Sequence, residues 1–249
     1  MNSLSVVMIS KNGMPVVLDA LKSAKNITTD IILMDSGSTD GTQACARELG
    51  VKVIDTSWNG FGATRNEGAS HASNEFILYL DADEIITPAL AKALMSMTFH
   101  RDVLYGFRRR NFVGSTEIRH GEWAHDIVYR LHHQSNGKWS LDDVHETIIV
   151  DTRKREIINR SLFHYTTGSI EEYALKLERY AGLSAEKYFN QNKSAGPLKP
   201  FLAAAFNFTK NYLFRLGLLD GVLGWELAVL HAKYTSAKYK KLRKMYETH

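Results

Sequence analysis

Two carboxylates set two residues apart, Asp81 and Asp83, close the short apolar run 76–80 in the stretch Asn-Glu-Phe-Ile-Leu-Tyr-Leu-Asp-Ala-Asp-Glu. Residues at that spacing on an extended segment point the same way, so both can face one hard cation or one ribose diphosphate. Taken alone, Asp-x-Asp at a strand end is as well explained by a turn or a helix cap. Further groups able to do chemistry lie at similar places earlier in the chain. Ser10 and Lys11 follow the apolar run 4–9, Asp35 follows 31–34, and Arg65 sits early in the segment 63–72. Hydroxyl, ammonium, guanidinium and carboxylate groups together suit a charged, hydroxyl-rich ligand.

The elements that must position these groups are legible in the pattern. Strands are expected at 4–10, 31–34, 51–54 and 76–80, the last a continuous apolar run of the kind buried on both faces of a parallel sheet. Helices are expected between them at 13–24, 42–49 and 63–72, with another from Thr87-Pro88 to about Met97. Asp40, with Gln43 three residues on, resembles a capping box for the second helix. Strands alternating with short helices give an α/β chain with a doubly wound, mainly parallel sheet. In such sheets ligands bind outside the carboxyl ends of the strands, where the residues named above converge.

Composition bounds the rest. The 249 residues are 44% hydrophobic and 23% charged, an ordinary globular composition that excludes disordered and fibrous classes. Cys45 is the sole cysteine, so no internal disulfide framework exists, and its alanine neighbours suit a buried, inert thiol. The apolar start lacks the basic lead and cleavage site of a secretory leader, so a cytoplasmic chain is expected. The net charge of +4 is uneven: nine Lys/Arg and three Asp/Glu lie in 198–249, which leaves the first 197 residues slightly acidic. An acidic body argues against a nucleic-acid partner.

Residues 35–42 (Asp-Ser-Gly-Ser-Thr-Asp-Gly-Thr), 65–68 (Arg-Asn-Glu-Gly) and 81–83 (Asp-Ala-Asp) occur in order behind a first strand with a polar turn. This set resembles the inverting nucleotide-sugar glycosyltransferases of family 2, which have the GT-A fold. The resemblance implies that Asp35 contacts uracil, Arg65 the base or diphosphate and Asp81 the ribose. Asp83 would bind a divalent metal, Mn²⁺ or Mg²⁺, that bridges the phosphates, and Ser10 and Lys11 would complete the nucleotide-sugar site. Ser36 departs from the pattern, where relatives often carry a second Asp, as does Lys11, where many have Tyr. On the bland reading Asp40 only caps a helix, and Arg65 only pairs with Glu67 or Glu84.

Residues 103–167 are richer in aromatics and histidines and are expected to bind the acceptor, with strands near 106–112 and 126–132. An inverting transfer needs a base for the acceptor hydroxyl, and Glu146, Asp142 and Asp143 are the candidates. The segment Val-His-Glu resembles a motif of the lipopolysaccharide-core branch of the family, which selects Glu146. An ordinary ion pair with a nearby arginine is the alternative. Asp143, His145 and Trp123 are assigned to the acceptor. His164 is assigned to the metal with Asp83, and His145 is a further candidate ligand. Trp58 and Trp139 are other aromatic surfaces on which a sugar could stack.

The expected organisation is a catalytic region, 1–168, with a nucleotide-sugar half (1–100) and an acceptor half (101–168), then a helical extension, 169–249. Ser169 opens the extension with a capping pattern, and the apolar segments 201–208 and 212–230 fall short of a membrane span. With the basic stretch 233–244 behind them, they suit a peripheral membrane anchor on anionic lipid, or else pack on the protein. The branch resemblance implies UDP-glucose as donor and β-1,4 transfer to an inner-core heptose on a lipid-linked acceptor. A haloacid-dehalogenase phosphotransferase would carry its Asp-x-Asp on the first strand, not the fourth. A pyrophosphorylase would need a glycine-rich basic loop after the first strand. A non-catalytic UDP-sugar-binding protein remains the alternative to an enzyme.

Overall fold

The computed structural model describes residues 4–141, 146–151 and 153–248, and the chain forms two compact units. The first comprises residues 1–109 and 127–164. It opens with β1 (Leu4–Ser10), α1 (Val16–Lys25), β2 (Ile31–Asp35), α2 (Thr42–Glu48), β3 (Lys52–Asp55) and α3 (Phe61–Ser70). There follow β4 (Phe76–Asp81), β5 (Glu84–Ile86), α4 (Pro88–Ser96) and β6 (Val103–Val113). After β7 (Thr116–Ile118) come β8 (Ile127–His133), β9 (Gly137–Trp139), β10 (Ile148–Val150) and β11 (Lys154–Thr167). The expected strands and helices of the first hundred residues are all present, with ends that coincide or differ by at most three residues.

The sheet runs β3-β2-β1-β4-β8-β6-β11-β5, parallel through β3, β2, β1 and β4 and antiparallel at β4–β8, β8–β6 and β11–β5. All seven residues of β1 are buried. Alternation along the strand sends Leu4, Val6 and Met8 to one face, against Leu21, Leu33 and Leu90, and Val7 and Ile9 to the other, against Ile77, Tyr79 and Trp139. Both faces are therefore covered, as the unbroken apolar runs require. Thr87 caps α4 by accepting from the Leu90 N–H, with Pro88 in the first turn.

The expected capping box at Asp40 does not form. Gly41, in the left-handed region, is the N-cap of α2. Asp40 instead accepts from the Met14 N–H (2.9 Å) and from the Thr42 hydroxyl (2.6 Å), which ties the turn after β2 to the turn after β1. The Thr42 hydroxyl bond is the main cause that lowers the Asp40 pKa.

The second unit comprises residues 110–126 and 165–249. Asn111–Ile118 and Val113–Thr116 are among its antiparallel strand pairs, and α5 (Ile170–Asn190) starts behind Ser169, whose hydroxyl accepts from the Glu172 N–H. Two helices follow, α6 (Lys199–Thr209) and α7 (Gly221–Thr248). The apolar segment 212–230 is not one helix. A π-helical stretch, Lys210–Phe214, a left-handed Leu216 and a 3₁₀ turn, Gly217–Asp220, intervene. Tyr173 on α5 meets His231 on α7 at 2.9 Å, and Ser184 meets Tyr234 at 2.8 Å. No helix among the described residues is long and apolar enough to cross a membrane.

Candidate active site

The site is built where the parallel strands end. Strand register sets Ser10 beside Asp35, Asp35 beside Asp55 and Ile9 beside Asp81, so the chemistry-bearing residues form one row along the carboxyl edge. Asp35 is fully buried and organises its own turn. It accepts from the N–H groups of Gly37 (3.1 Å) and Ser38 (2.8 Å), the Ser38 hydroxyl (2.6 Å) and the Gln43 amide (2.8 Å). Gln43 reaches on to Asp55 at 2.6 Å. Asn12 receives the Thr39 N–H and donates its own N–H to Ser38, locking the first turn to the second. Ser10 is buried at the end of β1 and its hydroxyl oxygen makes no hydrogen bond, while Lys11 is exposed beside it.

At the centre, Asp81 stands between two arginines. Arg65 donates to one carboxylate oxygen at 2.8 Å, and Arg130, from β8, donates to the other at 2.5 Å. Burial alone would raise the Asp81 pKa, but Arg130 and then Arg65 overcome it and hold the carboxyl well below its ordinary range. Burial likewise opposes the charge on Arg130, and Asp81 and Glu84 reverse that, so its pKa is raised. The second Arg65 nitrogen donates to Glu146 at 2.7 Å. One guanidinium therefore joins the Asp81 carboxylate to the carboxylate expected to be the base. The sequence-level alternatives for Arg65, pairing with Glu67 or Glu84, are not what forms. Glu67 accepts from Thr56, and the fully buried Glu84 pairs with Arg109 at 3.1 Å.

The Arg-Asn-x-Gly segment has a structural logic on α3. Arg65 faces the site, and Asn66 grips Trp139 on β9 through both backbone groups, donating to its carbonyl (3.0 Å) and accepting from its N–H (2.8 Å). Gly62 and Gly68 allow the close approach: a Cβ would fall 1.9 Å from the Ser140 carbonyl at Gly62 and 2.6 Å from Val7 at Gly68. Trp139 is thereby fixed in the core under both arginines, whose guanidinium carbons lie 4.4 Å (Arg65) and 5.3 Å (Arg130) from its ring. It is no open sugar platform. Trp58, stacked edge-on against Phe61 and half exposed, is the accessible tryptophan of this unit.

Asp83 lies just beyond, partly exposed, with its carboxylate 3.5 Å from His164 Nε2. Pairing of Glu84 with His164 across β5 and β11 puts the histidine there. Among the described residues no group of three or more His, Cys, Asp or Glu side chains that could hold a metal ion occurs. Asp142, Asp143 and His145 lie outside the described residues. Trp123 belongs to the second unit, where it is partly buried edge-on against Tyr173. Arg130 is the site residue that sequence reasoning passed over. Its signal was an arginine set among Ile127, Val128, Tyr129 and Leu131 in a strand, since such a group is seldom buried unless paired.

Similarity to known proteins agrees with this geometry. The glycosyl transferase family 2 pattern matches residues 5–162. An uncharacterised glycosyltransferase of Rickettsia conorii is 24% identical over 96% of this chain and 89% of its own length. A lipopolysaccharide core biosynthesis glycosyltransferase of Rhizobium meliloti is 26% identical over 84% of this chain and 82% of its own. Among solved structures, TarS of S. aureus (residues 1–349) aligns with all of this chain and 92% of its own at 14% identity and a TM-score of 0.47. Glucosyl-3-phosphoglycerate synthase of Mycobacterium tuberculosis, in complex with Mn²⁺ and UDP, aligns over 45% of this chain at 20% identity and a TM-score of 0.35. The match spans less than half, 44%, of that structure's length. The chain belongs to glycosyl transferase family 2 and is a glycosyltransferase with the α/β GT-A fold.

Proposed function

We propose that this glycosyltransferase moves glucose from UDP-glucose, with inversion, to a saccharide acceptor, the inner-core heptose of a lipid-linked lipopolysaccharide. The observation that carries the reading is the row of Ser10, Asp35 and Asp81 along the carboxyl edge of the parallel strands, with Arg65 on Asp81; Glu146, the proposed base, is ion-paired with that same Arg65, the pairing named above as its alternative role. The name of the Rhizobium meliloti relative supports the choice of acceptor class. Residues 1–168 carry the reaction in this reading, with 1–100 for the donor and 101–168 for the acceptor.

Asp35 and the turn it organises receive the uracil, Asp81 the ribose, and Arg65 the diphosphate. Ser10, whose buried hydroxyl is unpartnered, and Lys11 complete that pocket. Asp83 and His164 would hold a divalent ion, which supplies charge stabilisation to the departing diphosphate. Glu146 takes the proton of the acceptor hydroxyl as its oxygen bonds to the anomeric carbon. The bond from that carbon to the phosphate oxygen breaks, and its electron pair leaves with UDP. Asp143 and His145 are the proposed acceptor contacts, and the chain works on the inner face of the cell membrane.

The test is UDP release from UDP-glucose with a deacylated heptose-containing core saccharide as acceptor. Release that requires both the saccharide and a divalent cation supports the reading. Release that ignores the saccharide while another acceptor accelerates it overturns the acceptor.

A further inference from the structure

The second unit leaves uncovered a large apolar surface that the transfer chemistry does not use. From Leu198 to Trp225 the chain exposes eleven large hydrophobic side chains, of which Phe214 (79%), Val222 (74%) and Phe201 (72%) are open almost as in an unfolded chain. Phe206, Leu219 and Trp225 continue the surface across α6, the broken stretch 210–220 and the start of α7. So many exposed large apolar side chains gathered in one stretch mark a docking surface.

Charge decides what docks there. The stretch contributes Lys199, Lys210 and Arg215, while its one acid, Asp220, is buried and engaged by His120. Glu122, half exposed and close to Arg215 and Lys210, and Glu226 after Trp225 leave the rim basic by a smaller margin, and that balance favours anionic headgroups over a second copy carrying the same cations. Helix α6 has 11 residues and so spans about 16 Å, half of a hydrocarbon core of about 30 Å. That length fits insertion in the plane of the interface.

We infer that the apolar turn between α6 and α7 inserts into the surface of an anionic lipid bilayer, with Lys199, Lys210 and Arg215 at headgroup level. This deepens the membrane-facing part of the proposed function: the anchor is the apolar turn, and the basic end of α7 supplies only long-range attraction.

Flotation of the full chain with phosphatidylcholine vesicles, with and without phosphatidylglycerol, tests this. The wild type is expected to float with the anionic vesicles and to remain partly bound at high salt. The double variant Phe214→Glu/Leu219→Glu changes two exposed side chains, and its binding is expected to fall at least about tenfold. Its UDP affinity and circular dichroism should be unchanged, which separates lost anchoring from lost folding. Three results would each overturn the inference: a wild type that floats with neither vesicle, a variant that floats as well as the wild type, or a wild-type dimer in lipid-free solution that the variant dissolves. Failure of the wild type to bind UDP would remove the donor assignment and leave the flotation result standing.

Discussion

Replacing Arg130 by Met removes one of the two cations that hold Asp81 while keeping most of the side-chain volume. Removing one partner of a buried ion pair costs about 3–5 kcal/mol, because the other charge is stranded. Here Asp81 keeps Arg65 at 2.8 Å and its side chain is 23% exposed, which lowers the expected loss to about 2–3 kcal/mol. For a chain of this length that corresponds to a fall in Tm of roughly 5–10 °C. The pH dependence gives a second signature. The folded Asp81 pKa lies below its ordinary 3.8, so the carboxylate contributes stability above that value and loses it as pH falls through the folded pKa. The variant has less to lose. The gap between wild type and Arg130→Met should be constant from about pH 8 to 5 and should narrow below about pH 4. Urea denaturation across that range measures it. A gap under about 0.5 kcal/mol at pH 7, or one that is as wide in acid as at neutrality, would refute the ion-pair reasoning. UDP affinity should also fall about tenfold, since Asp81 loses a constraint on its orientation.

Glu146→Gln should abolish turnover while UDP still binds, and undiminished turnover would remove Glu146 as base. Gly62→Ala places a methyl 1.9 Å from the Ser140 carbonyl and should cost about 2–3 kcal/mol as α3 and β9 are forced apart, read as a lower thermal midpoint. Tyr173→Phe strips the buried hydroxyl from His231 and should destabilise the chain by about 1–3 kcal/mol in urea titration without altering UDP affinity.

The first hundred residues were readable because local signals agree with the fold. Apolar runs flank polar turns, Thr87-Pro88 opens a helix, and carboxylates mark strand ends, so the edge holding Ser10, Asp35 and Asp81 followed from pattern alone. What pattern could not supply is pairing across long separations. Arg65 meets Glu146 from 81 residues away, and Arg130 reaches Asp81 from 49. Nor does spacing say that Trp139 lies under two guanidinium groups instead of facing a sugar. The Asp40–Gln43 capping pattern failed for a related reason. Both side chains are engaged elsewhere, Asp40 by Thr42 and by Met14 in the turn after β1, and Gln43 by Asp35 and Asp55. Within the apolar segment 212–230 the helix is interrupted at Leu216, which sits in the left-handed region, and at Gly217, where a Cβ would fall 2.7 Å from the Asn211 carbonyl oxygen.

Calorimetric titration of UDP with and without Mn²⁺, on the wild type and on Asp83→Ala, probes the donor site most directly. Metal-dependent binding by the wild type that Asp83→Ala loses is the predicted result. If the wild type binds no UDP under either condition, or Asp83→Ala binds it as tightly with metal as the wild type does, the assignment of this edge to a metal-bridged nucleoside diphosphate is contradicted.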